Sequence, residues 1–409
     1  MGKGIAAALV LVLLLVGSPA QADGAPVGQD TAVAQTLGGR ELTVTLRRTD
    51  GAPAPLQVDV ITHVGSPPGT LRLAATPAGE SPTSTATIDL RTGPTTAYLR
   101  VDRYGPWELE LSDGTTSARI PFAVAERVSP AWERTVYGGF VAAGLFLLLS
   151  LLLATRSSKL ALIPAAALVA ALATATTAAL LSSTIPPKST QDKPRPPVNL
   201  AVEATATGLV LTLTDSATGR PVDDLQVHHG ALIHLAIVSA RGTLAHVHPV
   251  RTAPGDYRVQ FTPTDPGQHT MAAEFTRLGG GQQQVRARVD IAGEQRQPPT
   301  PAKGSVTTTP LRAGDPATLT VDFTGPDDLQ PWLGMRGHLI LTDDTQAVWA
   351  HVHAMATTAA AQPDETVAAY PAEVGFTFTF PHPGRYRAWF QAERGYEILT
   401  IPATFDVAP

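Results

Sequence analysis

The sequence predicts a mainly β chain of three antiparallel β-sandwich domains, interrupted by a two-helix transmembrane hairpin. Gly (35) and Pro (36) are abundant among the 409 residues, and aromatic residues make up only 6%. This composition is typical of many short strands joined by turns. Alternating apolar and polar residues, as in Leu209–Thr214 and Ala317–Phe323, indicate half-buried strands. Two long apolar stretches in mid-chain predict the helices.

The N-terminus has the three parts of a secretory signal peptide. Lys3 is followed by a short apolar run, Ile5–Val16, and by a small-residue site, Ala20-Gln-Ala22. The apolar run is too short to span a bilayer, which takes about 20 residues. We therefore expect residues 1–22 to be removed on export and residues 23–130 to form the first sandwich outside the cytoplasm.

The apolar stretches 136–155 and 160–185 are each long enough to cross a lipid bilayer, and neither contains a charged residue. The four residues Arg156–Lys159 between them carry two positive charges, which is typical of a short cytoplasmic turn. The sequence therefore predicts a two-pass cell-membrane protein whose N- and C-terminal domains are both extracytoplasmic. Without an intramembrane charge the hairpin is interpreted as an anchor rather than a transporter.

Two linkers, a Pro-rich one at 186–198 and a second at 294–305, delimit two further units, 199–293 and 306–409. These units repeat three sequence blocks in the same order, so we interpret them as copies of one immunoglobulin-like sandwich. The paired blocks are Asp223–Leu235 with Asp327–Leu339, Ala245–His248 with Ala350–His353, and Phe261–Gly267 with Phe378–Gly384. The 23–130 segment resembles them, beginning at Glu41 like the copy at Gly208. It has only His63, so we expect it not to share the role of the other histidines.

Ten of the eleven histidines lie in the two units after the hairpin. In each unit one histidine precedes a His-x-His pair, by 12 residues (His234 to His246) or by 13 (His338 to His351). Residues two apart on a strand share a face. A three-residue loop at 240–242 places His234 opposite His248, and a four-residue loop at 344–347 places His338 opposite His353. A slip of one residue would move the lone histidine to the other face.

Three imidazoles on neighbouring strands suit Zn²⁺ or Cu²⁺, and thioethers favour Cu(I). The predicted metal ligands are therefore His234, His246, His248, His338, His351, His353 and Met355, one site per copy, with copper preferred and zinc as the alternative. His269, Met271 and His382 are weaker candidates. His228 and His229 are interpreted as surface or auxiliary residues, because the second copy has Trp332 and Leu333 there. A packed strand histidine commonly binds nothing but hydrogen-bond partners, so a metal-free interaction module is the competing interpretation.

Several classes of function are disfavoured. There is no cysteine, which excludes disulfides, thiolate metal sites and cysteine nucleophiles. No nucleophile elbow, Walker loop, dinucleotide fingerprint or His-Glu-x-x-His motif occurs, and no basic run indicates nucleic-acid binding. We expect a protein that is not an enzyme.

The motif Gly-x-x-x-His-Leu followed by Ala-His-Val-His resembles the YtkA-like, FixH-like and CopC-like envelope proteins. It occurs at Gly334–Leu339 with Ala350–His353, and at Gly230–Leu235 with Ala245–His248. The resemblance implies immunoglobulin-like folds and copper handling in the envelope, for resistance, storage or supply to respiratory oxidases. The implied partner is an envelope copper protein or an oxidase assembly factor.

Overall fold

A computed structural model describes residues 30–47, 49, 51–126, 131–182, 195–354 and 364–409. The predicted mainly β class, immunoglobulin-like sandwiches with two apolar helices, is confirmed. The signal peptide at 1–22 and residues 186–194 of the first linker lie outside the described residues.

The N-terminal sandwich contains eight strands in two four-stranded antiparallel sheets, β1-β2-β3-β6 and β5-β4-β7-β8. Their inward side chains alternate with exposed ones and form a core around the fully buried Trp107. The strands are β1 (Thr31–Leu37), β2 (Arg40–Leu46), β3 (Ala54–Thr62), β4 (Gly69–Pro77), β5 (Ser84–Leu90), β6 (Gly93–Val101), β7 (Gly105–Ser112) and β8 (Ser117–Val124).

Two helices follow, α1 (Ala131–Ala154) and α2 (Ser158–Leu181), and both are long and apolar enough to cross a membrane. They pack on each other through small residues, since a Cβ added to Gly139 would lie 2.8 Å from the Cβ of Ala175. Ser150 Oγ donates a hydrogen bond to the Ala161 carbonyl at 3.1 Å. Large apolar side chains such as Leu145 and Ile163 remain exposed on the outside of the pair, as expected for contact with lipid.

The two C-terminal units, here repeat 1 (198–293) and repeat 2 (305–409), have matching sheets. Repeat 1 contains β9 (Val198–Thr205), β10 (Gly208–Asp215), β11 (Leu225–Gln226), β12 (His234–Ser239), β13 (Leu244–Val247), β14 (Val250–Ala253), β15 (Asp256–Gln260), β16 (Gly267–Arg277) and β17 (Gly281–Ile291). Repeat 2 contains β18 (Ser305–Thr308), β19 (Pro316–Asp322), β20 (His338–Asp343), β21 (Trp349–His353), β22 (Glu373–Thr379), β23 (Gly384–Arg394) and β24 (Glu397–Val407).

All three sandwiches share one strand order. Sheet β13-β12-β16-β17 of repeat 1 corresponds to β21-β20-β23-β24 of repeat 2 and to β5-β4-β7-β8 of the N-terminal sandwich. The facing three-stranded arrays are β9-β10-β15, β18-β19-β22 and β2-β3-β6. By their place in the sheets, β2 of the N-terminal sandwich corresponds to β9 of repeat 1. The sequence likeness between the segments that begin at Glu41 and Gly208 instead matches β2 with β10. That alignment is therefore shifted by one strand, because β1 is an added edge strand.

The repeats dock face to face through β12 and β16 on one side and β20, β21 and β23 on the other. An apolar patch fills one end of this interface and consists of Ala236, Val238, Ala272, Ile340, Trp349 and Trp389. At the other end Gly230 (φ +75) meets Leu333, and an added Cβ would lie 3.0 Å from the Leu333 Cβ. Glycine at this position permits both the left-handed backbone and the close approach.

The edge strand β1 connects the N-terminal sandwich to repeat 1. Its Ala34 amide donates to the Gly230 carbonyl at 2.6 Å, and its Thr36 amide donates to the His248 carbonyl at 2.8 Å. The strand thus lies against the loop and strand that carry repeat 1 histidines, and the three sandwiches meet at one place.

Candidate metal centre

The strand register places three histidines together in each repeat. In repeat 1 Leu235 pairs with Val247 and Ala236 with His246, which puts His234 opposite His248. In repeat 2 His338 pairs with His353 directly. Potential ligand atoms of each triad lie within 4.8 Å of one another. The predicted register is confirmed, and the extra residue of repeat 2 lies in its loop.

One backbone contact orients the lone histidine in both triads. His234 Nε2 lies 3.1 Å from the His228 carbonyl oxygen, and His338 Nε2 lies 3.1 Å from the Trp332 carbonyl oxygen. A carbonyl accepts only, so each Nε2 carries the proton and each Nδ1 is unprotonated; the His234 Nδ1 has no hydrogen-bond partner among the described residues, and the His338 Nδ1 accepts from His351 Nε2. The turn before each strand therefore selects a tautomer in which Nδ1 can bind a metal.

The two triads face each other across the repeat interface. The ring centroids of His234 and His351 are 4.8 Å apart, and those of His246 and His351 are 5.1 Å apart. His246 and His338 are separated by 6.0 Å. We call these six residues the histidine cluster: His234, His246, His248, His338, His351 and His353. The expected two sites are therefore neighbours within one interface.

Each repeat also supplies a polar side chain to the middle histidine of the other repeat. His246 Nδ1 donates to Gln391 Oε1 at 2.8 Å, and His351 Nδ1 lies 3.8 Å from Glu274 Oε2. Glu274 and Gln391 occupy equivalent places on β16 and β23, opposite His234 and His338 respectively. The interface is thus reciprocal, as in an isologous dimer.

The N-terminal sandwich supplies the carboxylate that supports His248, the side chain of Glu41. His248 Nδ1 donates to Glu41 Oε1 at 2.6 Å, and the Thr36 hydroxyl donates to Glu41 Oε2 at 2.6 Å. Burial raises the pKa of Glu41, but its interactions with His248, His63 and Thr36 together outweigh burial, and the net shift of the pKa is downward. A carboxylate–histidine pair of this kind orients a metal ligand and increases its basicity. The expectation that this sandwich has no part in the histidine chemistry is therefore wrong in one respect.

Buried nitrogens of the cluster lack hydrogen-bond partners among the described residues. They are His234 Nδ1, His246 Nε2, His248 Nε2, His351 Nδ1 and His353 Nε2. His338 Nδ1 lies 3.0 Å from His351 Nε2. A cavity of about 20 Å³ between the repeats is bordered by His234, His246, His351 and Glu274. Orphaned buried polar atoms are rare and point to an unseen partner.

Burial, followed by the neighbouring imidazoles, determines the protonation state of these rings. It lowers the pKa of His246 to about 3 and holds the pKa values of His234, His338 and His351 well below the usual range. Burial likewise lowers the pKa of His353. Neutral imidazoles are the form that binds metal ions. Near neutral pH these five rings therefore need not lose a proton to become ligands.

The structure does not bring the weaker candidates to the cluster. Met271 is fully buried in the sandwich core on the other face of β16. His269 Nδ1 donates to the Gly267 carbonyl of its own turn at 2.9 Å. His382 is exposed in the β22–β23 turn. Met355 lies outside the described residues, so its predicted place in the ligand row stays a prediction.

Other residues at the cluster were not expected from the sequence. His228 is buried. His229 is half-buried, and its ring is centred 4.0 Å from the His353 ring of the other repeat. The buried Trp332 ring is centred within 6 Å of His246, His248 and His338. A signal existed for Glu274 and Gln391, since each is the one polar residue in an apolar run of five, Met271–Phe275 and Ala388–Ala392, at the same place of the repeat.

Comparison with known proteins adds a family match for the repeats. The model of a family described as a domain of unknown function (DUF8832) matches residues 198–293 and again residues 303–409. A search of curated proteins finds no match. Both repeats are thus similar to one and the same domain.

Similar solved structures include a tetra-tandem repeat from the extending region of a large adhesion protein, with 12% identity over 93% of this chain and 74% of that chain and a TM-score of 0.19. The two-fibronectin-type-III segment of chicken tenascin has 10% identity over 52% and 99%, with a TM-score of 0.17. Salmonella alpha-2-macroglobulin reacted with methylamine has 9% identity over 96% and 24%, with a TM-score of 0.21. These TM-scores are too low to support an argument, so the fold rests on the strand topology above.

Proposed function

We propose that this chain is a membrane-anchored, extracytoplasmic metal-binding protein whose two C-terminal sandwiches hold copper at the histidine cluster. The observation that carries the proposal is the set of buried imidazole nitrogens without hydrogen-bond partners, which converge from both repeats. A buried polar atom left unpaired costs about 1–3 kcal/mol. A bound metal ion would satisfy several of these nitrogens together.

The geometry favours two ions rather than one. The ligand atoms form two groups, each within 4.8 Å, one in each repeat. All six ligands are imidazoles, which suit copper or zinc and offer no oxygen ligand for calcium or magnesium. Copper is preferred on the resemblance to YtkA-like, FixH-like and CopC-like proteins, and zinc is the alternative.

The setting of the cluster supports binding rather than turnover. The rings are enclosed between two sandwiches, and the adjoining cavity of about 20 Å³ has room for about one water-sized species. A substrate of any size would not fit there. We propose storage, resistance or delivery to an envelope copper protein or oxidase assembly factor as the purpose of binding.

The test is a metal titration of the full chain in detergent micelles with Cu(I), Cu(II) and Zn(II) in turn. The wild type is compared with a His246→Ala/His351→Ala variant, which removes one ligand from each triad. A His269→Ala/His382→Ala variant is the matched control, because those histidines lie outside the cluster. Circular dichroism verifies that each variant is folded.

We expect the first variant to bind two tight ions fewer than the wild type, and the control to bind as many. No tight binding of any of the three ions by folded wild type would overturn the proposal. The cluster would then be a buried polar interface, and the protein an interaction module built of sandwiches. Equal loss in the control variant would also contradict the assignment.

A further inference from the structure

A second group of buried ionisable residues lies where the N-terminal sandwich meets repeat 2. His63 follows β3, Glu365 precedes β22, and Glu393 is on β23; all three side chains are buried and offer ligand atoms within 4.8 Å of one another. Gln330 positions the backbone of both acidic residues. Its backbone N–H donates to the Glu393 backbone carbonyl, and its side-chain Nε2 donates to the Glu365 backbone carbonyl. We call His63, Glu365 and Glu393 the mixed cluster.

The hydrogen bonds around His63 leave its unprotonated ring nitrogen facing a carboxylate oxygen, so that two hydrogen-bond acceptors face each other. The Thr43 hydroxyl donates to Glu365 Oε1 at 3.1 Å, so it accepts from His63 Nε2–H, also at 3.1 Å. In this tautomer His63 Nδ1 carries a lone pair, and it lies 3.9 Å from Glu393 Oε1. Two acceptors that face each other in a buried site require a cation or a proton between them.

Glu393 is the clearest case of a buried carboxyl group that requires a cation or a proton. Its side chain is 0% exposed, and neither of its oxygens has a hydrogen-bond partner of good geometry among the described residues. The carboxyl of Glu365 is its neighbour. Among the described residues no Lys or Arg forms an ion pair with either carboxyl; His63 is their one ion-pair partner. An imidazole carries at most one positive charge, so His63 alone cannot balance two buried carboxylates.

We propose that His63, Glu365 and Glu393 bind one divalent cation of the Mn²⁺ or Zn²⁺ type, at a site separate from the histidine cluster. Two carboxylates and one imidazole balance a double positive charge. Carboxylate oxygens suit manganese, and the mixture of oxygen and imidazole nitrogen suits zinc as well. The His63 Nδ1 to Glu393 Oε1 distance is shorter than the sum of two ordinary metal–ligand bonds of about 2 Å each, so one ion reaches both atoms.

The ligands come from two domains, so the ion would fasten them together. His63 belongs to the N-terminal sandwich, whose Val64 amide also donates to the Tyr396 carbonyl of repeat 2 at 2.8 Å. Glu41 lies between the two clusters, because its side chain accepts from His248 Nδ1 and its backbone carbonyl accepts from the His63 amide at 3.1 Å. The mixed cluster would therefore hold the N-terminal sandwich in the position from which Glu41 supports His248.

The experiment is a Mn(II) titration of the full chain in detergent, followed by the loss of the electron paramagnetic resonance signal of free Mn(II). Mn(II) is chosen because a site of imidazoles alone has little preference for it. We compare wild type with Glu365→Gln and Glu393→Gln, which keep the side-chain shape and remove one ligand charge each. Glu373→Gln, at an exposed position on β22, is the matched control.

We expect one bound Mn(II) per wild-type chain and at least about 100-fold weaker binding in each cluster variant, because loss of even a supporting residue costs about 10–100-fold. The His246→Ala/His351→Ala variant should still bind Mn(II), which separates this proposal from the copper proposal. A nitrogen coupling in the pulsed spectrum of bound Mn(II), absent from His63→Gln, would identify the ring as a ligand.

Absence of Mn(II) binding by folded wild type, together with absence of Zn(II) binding by the folded His246→Ala/His351→Ala variant, would overturn the proposal, and the two carboxyls would then be neutralised by protons. Binding that neither Glu365→Gln nor Glu393→Gln weakens would overturn it too. Circular dichroism of each variant shows whether the sandwiches remain folded.

Discussion

The two triads of the histidine cluster have the same backbone geometry but different supports. In both, a carbonyl six residues upstream fixes the tautomer of the lone histidine at 3.1 Å. Beyond that contact they diverge. His248 of repeat 1 is braced by the Glu41 carboxylate, whereas its counterpart His353 lies beside the His229 ring.

The difference shows which parts of a metal site a fold can copy. Duplication of a sandwich copies the strand register and the turn, because both depend only on local sequence. The supporting side chains come from other domains, so each copy acquires its own. The two triads are therefore expected to differ in metal affinity although their ligands are alike.

The largest effect on stability is expected from Trp332→Ala. Trp332 is 1% exposed and packs with Ala34, Ala231 and Leu333 at the junction of the three sandwiches. Its truncation should cost about 3–5 kcal/mol of unfolding free energy, as for other buried aromatic residues. The expected result is a lower temperature of thermal unfolding, measured by circular dichroism.

His228→Ala is the comparison for that variant, because His228 occupies the same place in repeat 1. Its smaller ring should give a smaller loss of stability. Both variants keep the backbone carbonyl that orients the lone histidine, so both should still bind metal. An equal loss of stability in the two variants would show that the tryptophan does not hold the junction.

The second prediction concerns the one ionisable difference between the reciprocal contacts. Burial raises the pKa of Glu274 to about 7, whereas its counterpart Gln391 cannot ionise. A group whose pKa is higher in the folded than in the unfolded state stabilises most below its unfolded pKa, and this stability is lost as pH rises through the folded pKa. The unfolding free energy of metal-free wild type should therefore fall by up to about 3 kcal/mol, relative to that of Glu274→Gln, between pH 4.5 and pH 8.

Thermal unfolding of both proteins at several pH values measures this difference. Glu203→Gln, on the exposed side of β9, is the control and should follow wild type at every pH. If Glu274→Gln and wild type kept a constant difference between pH 4.5 and pH 8, Glu274 would not be the buried ionisable group that we infer.

A third prediction tests whether the Glu41 brace makes the triads unequal. Glu41→Gln keeps a hydrogen-bond acceptor beside His248 but removes the charge. Loss of such a supporting carboxylate typically lowers metal affinity about 10–100-fold. We expect that loss for one of the two ions only, seen in a competition titration as one weakened and one unchanged step. Equal weakening of both steps would mean that the triads are not independent.

Features of this centre could be predicted from the sequence when the residues that form them lie close together along the chain. The spacings of 12 and 13 residues, together with loops of three and four residues, predicted the register that His234 and His338 adopt. The turn that orients them is also local. Such features follow from strand periodicity and loop length, which one sequence carries.

Docking of the domains has no such signature. Glu41 meets His248 across 207 positions, and no periodicity relates the two. Docking of the repeats places the His229 ring 4.0 Å from the His353 ring. His228 and His229 were interpreted as surface or auxiliary residues because they differ from Trp332 and Leu333 in the other copy. Glu274 and Gln391 could have been found, by asking why both copies keep a polar residue within an otherwise apolar five-residue run of a strand.

The smallest effect is expected from the histidines outside the cluster. His382 is exposed in a turn, and Tyr386 donates its hydroxyl proton to the backbone carbonyl of His382 at 3.0 Å rather than to the ring. His382→Ala should therefore change neither the number of bound ions nor, beyond about 0.5 kcal/mol, the stability. The measurement is the same competition titration beside thermal unfolding. A lost ion would mean that repeat 2 binds metal at this turn as well, and that the reciprocal interface is not what separates ligand histidines from the others.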